Sequence, residues 1–265
     1  MSRLASSFKP PAGKALIGYI TVGYPDIETT LEVVPLLAKC GCDIVELGIP
    51  FSDPLADGVT IQKSSFRALQ NGVTPKICLE ITRQLRQKVD IPLVFMSYFN
   101  PVLSYGLTEF VTDCIRSGID GLIIPDLPPE EGVELEVITR QRGLDLIYLL
   151  APTSTESRIR LVTEKSRGFL YLVSVAGVTG TRSRLPADLA GFVARVRTVA
   201  KQPLCIGFGI STAAQAKQAA RIADGVIVGS RFIQLMKTGN LDAVAVFAKS
   251  LRRALDEVPR LTLKK

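Results

Sequence analysis

Eight short apolar runs, separated by segments in which apolar residues recur at helical spacing, constrain the fold of this chain most strongly. The runs are rich in Val, Ile and Leu and almost continuously apolar, which is typical of parallel strands covered on both faces. Eight strand–helix units in about 250 residues predict a TIM (β/α)8 barrel. The runs span 15–23, 44–50, 92–98, 121–126, 145–152, 169–175, 203–209 and 225–230.

An open, doubly wound parallel sheet is the alternative α/β fold. It is less favoured because no GxGxxG motif follows the first run. No linker or low-complexity segment divides the chain, so we predict one domain over residues 1–265.

The segments between the runs contain helix signals. Apolar spacing predicts helices over 27–40 and 187–200, and acidic residues after a proline predict another that begins at Pro129 and Glu130. Three glycines fall where helix C-terminal caps are expected: Gly41, Gly118 and Gly143.

Charge and composition narrow the functional classes. The formal net charge is +7, but the basic residues are dispersed and no nucleic-acid-binding motif accompanies them, so we expect no nucleic-acid partner. The apolar runs are too short to span a bilayer. Histidine is absent, which removes histidine-based triads and nearly all zinc hydrolase sites. Five cysteines without a CxxC pair, and no recognisable signal peptide, predict reduced thiols in a cytoplasmic protein.

Glu46 is an unusual residue for the apolar run 44–50. Alternation of side chains places Ile44, Glu46 and Gly48 on one face of the strand, which we assign to the barrel interior. Glutamate is rarely buried without a partner or a task. We interpret Glu46 as a general acid/base whose pKa is raised by desolvation, and a structural carboxylate with a neighbouring donor is the alternative.

Asp57 lies in the loop after the same run and offers a second carboxylate at the same rim of the barrel. It precedes a predicted helix over 59–69, so it could instead be only a cap or turn residue. Asp53 is another candidate, although its place between Ser52 and Pro54 is typical of a turn in which the aspartate supports the backbone.

Glycines follow the last three runs. The segments "SVAGVTGTR", "GFGIS" and "GS" come after the sixth, seventh and eighth runs, where barrels often bind phosphate. We predict a phosphate site formed by backbone N–H groups and a lid in which Thr179 reaches an active-site carboxylate. The residues of the phosphate site are Gly180, Gly209, Gly229 and Ser230.

These groups limit the reaction. No lysine lies in any of the eight runs, so an imine-forming nucleophile is disfavoured. Carbon–carbon cleavage without an imine or a metal requires a substrate with its own electron sink. An indole protonated at C3 is such a sink, and a carboxylate can donate that proton and accept another.

Several segments resemble the tryptophan synthase alpha chain family. They are "ELGIPFSDPLADG", "IGFGIS", "VGS", "SVAGVTGTR", "FKPPAGKALIGYITVGYPD", "MSYFNPVLSYG" and "GLIIPDLPPEE", and the likeness covers almost the whole chain. The resemblance implies a TIM barrel with a short extra N-terminal helix and mobile loops after the second and sixth strands. It also implies a lyase that cleaves indole-3-glycerol phosphate to indole and glyceraldehyde 3-phosphate in tryptophan biosynthesis.

The resemblance also implies roles for particular residues. Glu46 matches the general acid/base, Asp57 the carboxylate that contacts the indole N–H, and Tyr171 a tyrosine that supports this pair. The expected substrate pocket contains Tyr19, Met96, Tyr98, Ile123, Thr179 and Phe208, although core packing explains Met96 and Ile123 equally well. Val59 stands where many relatives have a proline, which affects the expected stiffness of the loop before it.

A partner is implied as well. The family delivers indole to a separate beta chain in an alpha2beta2 heterotetramer, and the beta chain holds pyridoxal phosphate, so no cofactor is expected in this chain. Contacts with the beta chain are expected at 51–58, 98–105 and the start of 126–132. The rival interpretations are a stand-alone lyase that releases free indole, a sugar-phosphate epimerase or isomerase, and a non-catalytic phosphate-binding subunit.

Overall fold

Nine parallel strands form one sheet in the part of the chain that the computed structural model describes, residues 2–8, 13–174, 188–207 and 209–259. The neighbour order is β5-β4-β3-β2-β1-β9-β8-β7-β6. The strands are β1 Ala15–Thr21, β2 Ile44–Gly48, β3 Leu93–Met96, β4 Gly121–Ile123, β5 Asp145–Ile147, β6 Leu149–Leu150, β7 Leu170–Val173, β8 Leu204–Gly207 and β9 Gly225–Val228.

The two end strands of this order, β5 and β6, belong to the same apolar run and are separated only by Tyr148. The Tyr148 N–H donates to the Ser166 hydroxyl (3.1 Å) and its carbonyl accepts from the Tyr171 N–H (3.2 Å). The fifth run is therefore divided where its backbone turns from one neighbour to the other. Because consecutive residues pair with both ends of the sheet, the sheet closes and the TIM-barrel prediction is confirmed, whereas the open-sheet alternative is wrong.

Helices follow the strands and cover the barrel. They are α1 Arg3–Ser6, α2 Ile27–Lys39, α3 Val59–Gln70, α4 Pro75–Arg86, α5 Phe99–Tyr105, α6 Leu107–Ser117, α7 Val133–Arg142, α8 Glu156–Lys165, α9 Leu189–Arg197, α10 Ala213–Ala220, α11 Ser230–Met236 and α12 Leu241–Asp256. The helices predicted over 27–40 and 187–200 correspond to α2 and α9. None of the described helices is both long and apolar enough to cross a bilayer.

The helix ends agree with the predictions at the C-termini but not at Pro129. Gly118 and Gly143 cap α6 and α7 in the left-handed conformation (φ 88° and 73°), which glycine adopts without a Cβ clash. The helix predicted at Pro129 and Glu130 begins instead at Val133. The N–H groups of Glu131 and Gly132 both donate to the Pro128 carbonyl (3.0 Å), and this turn ends before the helix starts.

Arginine–aspartate pairs repeat at the N-terminal end of the barrel. Each aspartate immediately precedes a strand and accepts a backbone N–H from the neighbouring strand while an arginine donates to the same Oδ2 atom. Each carboxylate thus accepts a hydrogen bond from a backbone N–H group of a strand and also neutralises an arginine. The sets are Asp43 with Leu16 and Arg252, Asp120 with Leu93 and Arg86, and Asp224 with Leu204 and Arg197.

The short N-terminal helix α1 also packs at this end. Leu4 is fully buried, and a Cβ on Gly121 would lie 2.8 Å from its Cδ1 atom. The buried apolar side chains form one connected cluster. The prediction of a single domain over 1–265 stays a prediction, because its ends and the loop after the sixth run (175–187) lie outside the described residues.

Candidate active site

A cavity of about 230 Å³ opens at the C-terminal ends of the strands. Its position agrees with the general location of active sites in TIM barrels. Five strands each contribute one residue to the cavity, and the other lining residues come from the loops and helices that follow strands. They are Tyr19, Glu46, Asp57, Val59, Thr60, Ile61, Met96, Tyr171, Gly209, Ile210, Ser211, Ile227, Gly229, Ser230 and Gln234.

Glu46 points into this cavity from β2, as side-chain alternation predicts. It is 1% exposed, and neither carboxylate oxygen has a hydrogen-bond partner among the described residues. Burial, with a smaller contribution from Asp57, raises the pKa of Glu46 to about 8. The charged form is disfavoured because burial removes the carboxylate from bulk solvent and no described donor replaces that solvation. Nothing in the described structure therefore supports the alternative of a structural carboxylate paired with a donor.

Asp57 faces the same cavity from the loop that follows β2. Helix α3 begins at Val59 with Gly58 as its N-cap, and no side chain caps it, so Asp57 is not a helix cap. The Tyr98 hydroxyl donates to Asp57 Oδ2 (3.1 Å). Burial raises the pKa of Asp57 to about 6, and the hydrogen bond from Tyr98 opposes this rise. Asp53 is exposed, and its carboxylate accepts from the Ser52 hydroxyl rather than from the backbone.

Tyr98 holds the Asp57 loop in place. Besides donating to Asp57, its hydroxyl oxygen accepts the Ala56 N–H (2.9 Å), and its ring stacks on Phe51 with centroids 5.3 Å apart. Tyr98 was predicted as a pocket wall, but it is not among the residues that line the cavity. It acts on the site through the loop, and its distance from Asp57 in the chain hides this contact from the sequence.

Two tyrosines that line the cavity, Tyr19 and Tyr171, each pack against a glycine of the neighbouring strand. A Cβ on Gly48 would lie 2.2 Å from the Tyr19 hydroxyl oxygen, and a Cβ on Gly207 would lie 2.4 Å from that of Tyr171. The missing side chains therefore create the space that the two phenols occupy. Burial is the main cause that raises the pKa of both tyrosines, so their hydroxyls stay protonated at neutral pH.

The residues assigned to phosphate binding lie in the same cavity where they are described. Gly209, Gly229 and Ser230 all line it, and a Cβ on Gly229 would lie 3.1 Å from the Tyr19 ring. Their loops follow β8 and β9, so the topology brings them beside the β1 and β2 residues. Gly180 of the predicted phosphate site, and Thr179 and Phe208 of the predicted substrate pocket, lie outside the described part of the chain.

Met96 and Ile123 were each expected to be either a pocket wall or a core residue, and they differ in the structure. Met96 lines the cavity, whereas Ile123 is fully buried and does not reach it, because it is covered in the core beside Met96, its register partner. Of the two alternatives, its burial favours core packing for Ile123. Cavity residues that the sequence analysis missed include Thr60, Ile61, Ser211 and Gln234. Their position just after Asp57, Gly209 and Ser230 was the available signal.

Among the described residues, neither thiols nor a metal-binding cluster contribute to the site. All five cysteines are buried and free of disulfides. The described residues contain no group of three or more His, Cys, Asp or Glu side chains arranged to hold a metal ion.

Comparison with known proteins gives one consistent family. The family model described as tryptophan synthase alpha chain matches residues 6–257. The tryptophan synthase alpha chain of Dehalococcoides mccartyi is 59% identical over 257 residues, covering 97% of this chain and 100% of that protein. That of Geobacter sulfurreducens is 48% identical and covers 96% and 99% of the two chains.

Solved structures agree with the sequence relatives. Tryptophan synthase subunit alpha from Legionella pneumophila superposes with a TM-score of 0.89 at 35% identity, covering 97% of this chain and 100% of that one. A chain of Mycobacterium tuberculosis tryptophan synthase gives a TM-score of 0.88 at 38% identity, covering 95% and 96%. Sequence and fold therefore match over nearly the full length.

Proposed function

Because the chain belongs to the tryptophan synthase alpha chain family, we propose that it cleaves indole-3-glycerol phosphate to indole and glyceraldehyde 3-phosphate in tryptophan biosynthesis. One observation of the site carries this proposal. Two buried carboxyl groups, Glu46 and Asp57, share a cavity with glycines of two loops that suit a phosphate, and burial raises the pKa of both.

Glu46 is the general acid and base of the proposed reaction. With a pKa near 8 it is mainly protonated at neutral pH and can donate its proton to indole C3. The resulting carboxylate then accepts the proton of the hydroxyl on the carbon attached to C3. That carbon becomes the aldehyde, its bond to C3 breaks, and the electron pair returns to the ring. The acid is thereby regained at the end of the cycle.

Asp57 is the charged partner of this acid. With a pKa near 6 it is mainly ionised at neutral pH and can accept a hydrogen bond from the indole N–H, whose acidity rises when the ring becomes cationic. Tyr171, which remains a neutral phenol, supports the two carboxyl groups from β7. Because the two pKa values differ, Glu46 can be the acid of the pair while Asp57 is the anion.

We infer that the phosphate binds where the segments after β8 and β9 line the cavity. Backbone N–H groups of Gly209, Gly229 and Ser230, with Gly180 from the loop after the sixth run, are its proposed donors, and Phe208 lies nearby in the sequence. Tyr19 and Met96 are the proposed walls around the indole ring. Thr179 is proposed to contact a carboxylate when its loop closes.

A beta chain is the proposed partner, in an alpha2beta2 heterotetramer within the cytoplasm. The partner would hold pyridoxal phosphate, and this chain would use no cofactor of its own. Support comes from exposed apolar side chains in two of the expected contact segments. Leu55 is 85% exposed and Leu103 is 53% exposed. Val59, which directly follows the first of these segments, is also exposed.

Indole release by the purified chain, with and without a beta chain, tests the proposal. We expect cleavage of indole-3-glycerol phosphate that the partner strongly activates. Full activity without any response to the partner would favour the stand-alone lyase. No cleavage under either condition would favour the non-catalytic subunit.

A further inference from the structure

The cavity lacks a positive charge in its described wall. Its charged lining residues are Glu46 and Asp57, and no described lining residue is Lys or Arg. A phosphate monoester dianion that enters therefore meets neutral N–H groups and two acidic side chains. A cation next to this wall would add attraction to that of the N–H groups and offset the repulsion from the two carboxyl groups, which is strong in a region of low dielectric.

Arg231 is a described cation next to this wall in the chain. It follows Ser230 in α11, and its Nη1 atom donates to Gln234 Oε1 (3.3 Å). Ser230 and Gln234 both line the cavity, so Arg231 lies between two residues of the wall in the chain and is tethered to one of them. It is half-buried and forms no ion pair with any described residue.

Two other described segments at the C-terminal end of the barrel offer no unpaired cation. Arg158, which follows the fifth run, pairs with Glu130 at 2.6 Å. The described loop residues after β8, 209–212, contain no Lys or Arg. Arg231 is thus the described arginine nearest in the chain to the proposed phosphate donors, and its guanidinium group forms no ion pair with a described carboxylate.

We propose that Arg231, oriented by Gln234, captures the phosphate tail of the substrate and selects for anionic ligands. The inference rests on the proposed function, because it takes the phosphate to lie on Gly209, Gly229 and Ser230. The guanidinium group of arginine remains charged at all working pH values. The contact with Gln234 uses one of its nitrogen atoms, Nη1, and leaves N–H groups on the others free. Its effect belongs to substrate capture, not to the chemical step.

Paired substitutions test this role. Arg231→Gln should raise KM for indole-3-glycerol phosphate about threefold to tenfold with kcat unchanged, and should weaken the dependence of kcat/KM on ionic strength. Arg221→Gln is the matched control, because exposed Arg221 precedes β9 at the opposite end of the barrel and has no ion pair with a described residue. Arg231→Lys should restore most of the lost kcat/KM, because it restores the charge.

Binding of inorganic phosphate, followed by titration calorimetry, separates this inference from the proposed function. If the wild-type chain does not cleave the substrate, the proposed function fails, and weaker phosphate binding by Arg231→Gln than by Arg221→Gln still supports the capture role. The inference is overturned if Arg231→Gln matches Arg221→Gln in phosphate affinity and KM. It is overturned equally if Arg231→Lys is as impaired as Arg231→Gln.

Discussion

Glu46 and Asp57 differ in what surrounds their carboxyl groups. Glu46 has no hydrogen-bond partner among the described residues, whereas Asp57 accepts from Tyr98. Burial raises the pKa of Glu46 to about 8 and that of Asp57 to about 6, and the hydrogen bond from Tyr98 opposes the rise only at Asp57. One residue can thus hold a proton at neutral pH while its neighbour is ionised, which is the condition for an acid and an anion in one small cavity.

Replacing Glu46 with Gln tests the proton transfer. We expect kcat to fall about a hundredfold to ten-thousandfold, because the amide cannot donate and then accept the proton. Binding of a phosphate-containing substrate analogue should be almost unchanged, since the glycine loops are untouched. Indole release and calorimetric binding measure the two effects, and near-normal turnover would refute the assignment.

The rate should depend on pH through both carboxyl groups. Activity is expected to fall as pH rises through about 8, where Glu46 loses its proton, and as pH falls through about 6, where Asp57 gains one. The phosphate ester of the substrate also titrates near pH 6. The Tyr98→Phe variant therefore tests whether Asp57 or the substrate causes the acid limb of the profile. Loss of its hydrogen bond should raise the Asp57 pKa and move that limb of the kcat/KM profile to higher pH. An acid limb that stays in place would assign it to the substrate.

Stability should depend on pH through Glu46 as well. Its pKa is near 4.3 in an unfolded chain and about 8 in the fold, so the folded state binds the extra proton between these values. The resulting stabilisation is fully present below pH 4 and is lost as pH rises through 8, with a slope of at most about 1.4 kcal/mol per pH unit. Asp57, with a pKa of about 6, contributes at the acidic end of this range, and the chain has no histidine to add to it.

Urea unfolding at pH 5 and pH 8 checks this dependence. The free energy of unfolding should decrease between the two pH values, and Glu46→Gln should reduce that decrease. Glu32→Gln, at an exposed position on α2, is the control and should behave as the wild type. Equal slopes in all three proteins would contradict the buried, protonated state of Glu46.

At the scale of elements, glycines in the strands determine where the tyrosines of the site can lie. Gly207 in β8 leaves the space that the Tyr171 hydroxyl fills, and Gly48 in β2 does the same for Tyr19. Strand packing and site geometry are therefore coupled, because a side chain added to either strand reaches a phenol before anything else.

Gly207→Ala tests that coupling. Its new methyl group would lie 2.4 Å from the Tyr171 oxygen, so the tyrosine must move. We expect a loss of about 1–3 kcal/mol in the free energy of unfolding and a reduced kcat. Gly13→Ala is the control, because the nearest atom to its Cβ would be 3.8 Å away. Unchanged denaturation and turnover would show that Tyr171 has room to adjust.

At the scale of the molecule, the two ends of the barrel have separate tasks. The C-terminal end holds the cavity, whereas the N-terminal end is closed by repeated arginine–aspartate pairs that also satisfy strand N–H groups. This division agrees with the general behaviour of the fold, in which the lower face contributes stability.

Asp120→Ala tests the division. The substitution removes the partner of Arg86 and the acceptor of the Leu93 N–H, so the free energy of unfolding should fall by about 2–3 kcal/mol. Both kcat and KM should stay unchanged well below the melting temperature. Glu80→Ala breaks an exposed pair with Arg83 and should cost less than about 1 kcal/mol. A large change in kcat for Asp120→Ala would contradict the separation of the two ends.

Patterns confined to a few neighbouring residues were enough to predict the barrel. Continuous apolar runs identified its strands, glycines identified the C-terminal caps of α6 and α7, and side-chain alternation placed Glu46 inside. The start of α7 was wrong because the hydrogen bonds to Pro128 that delay it depend on the path of the loop. The division of the fifth run at Tyr148 was also missed, because it follows from barrel closure.

The sequence by itself determined the class of fold, the presence of a carboxylate inside a strand and the glycine loops near the chain's end. Only the tertiary structure decided that Tyr98 contacts Asp57 across 41 positions, that Ile123 is covered by the core, and how far burial moves each pKa. The reason is physical. Secondary structure and patterning arise from adjacent residues, whereas desolvation and distant contacts depend on strand register and on which loops meet above the barrel.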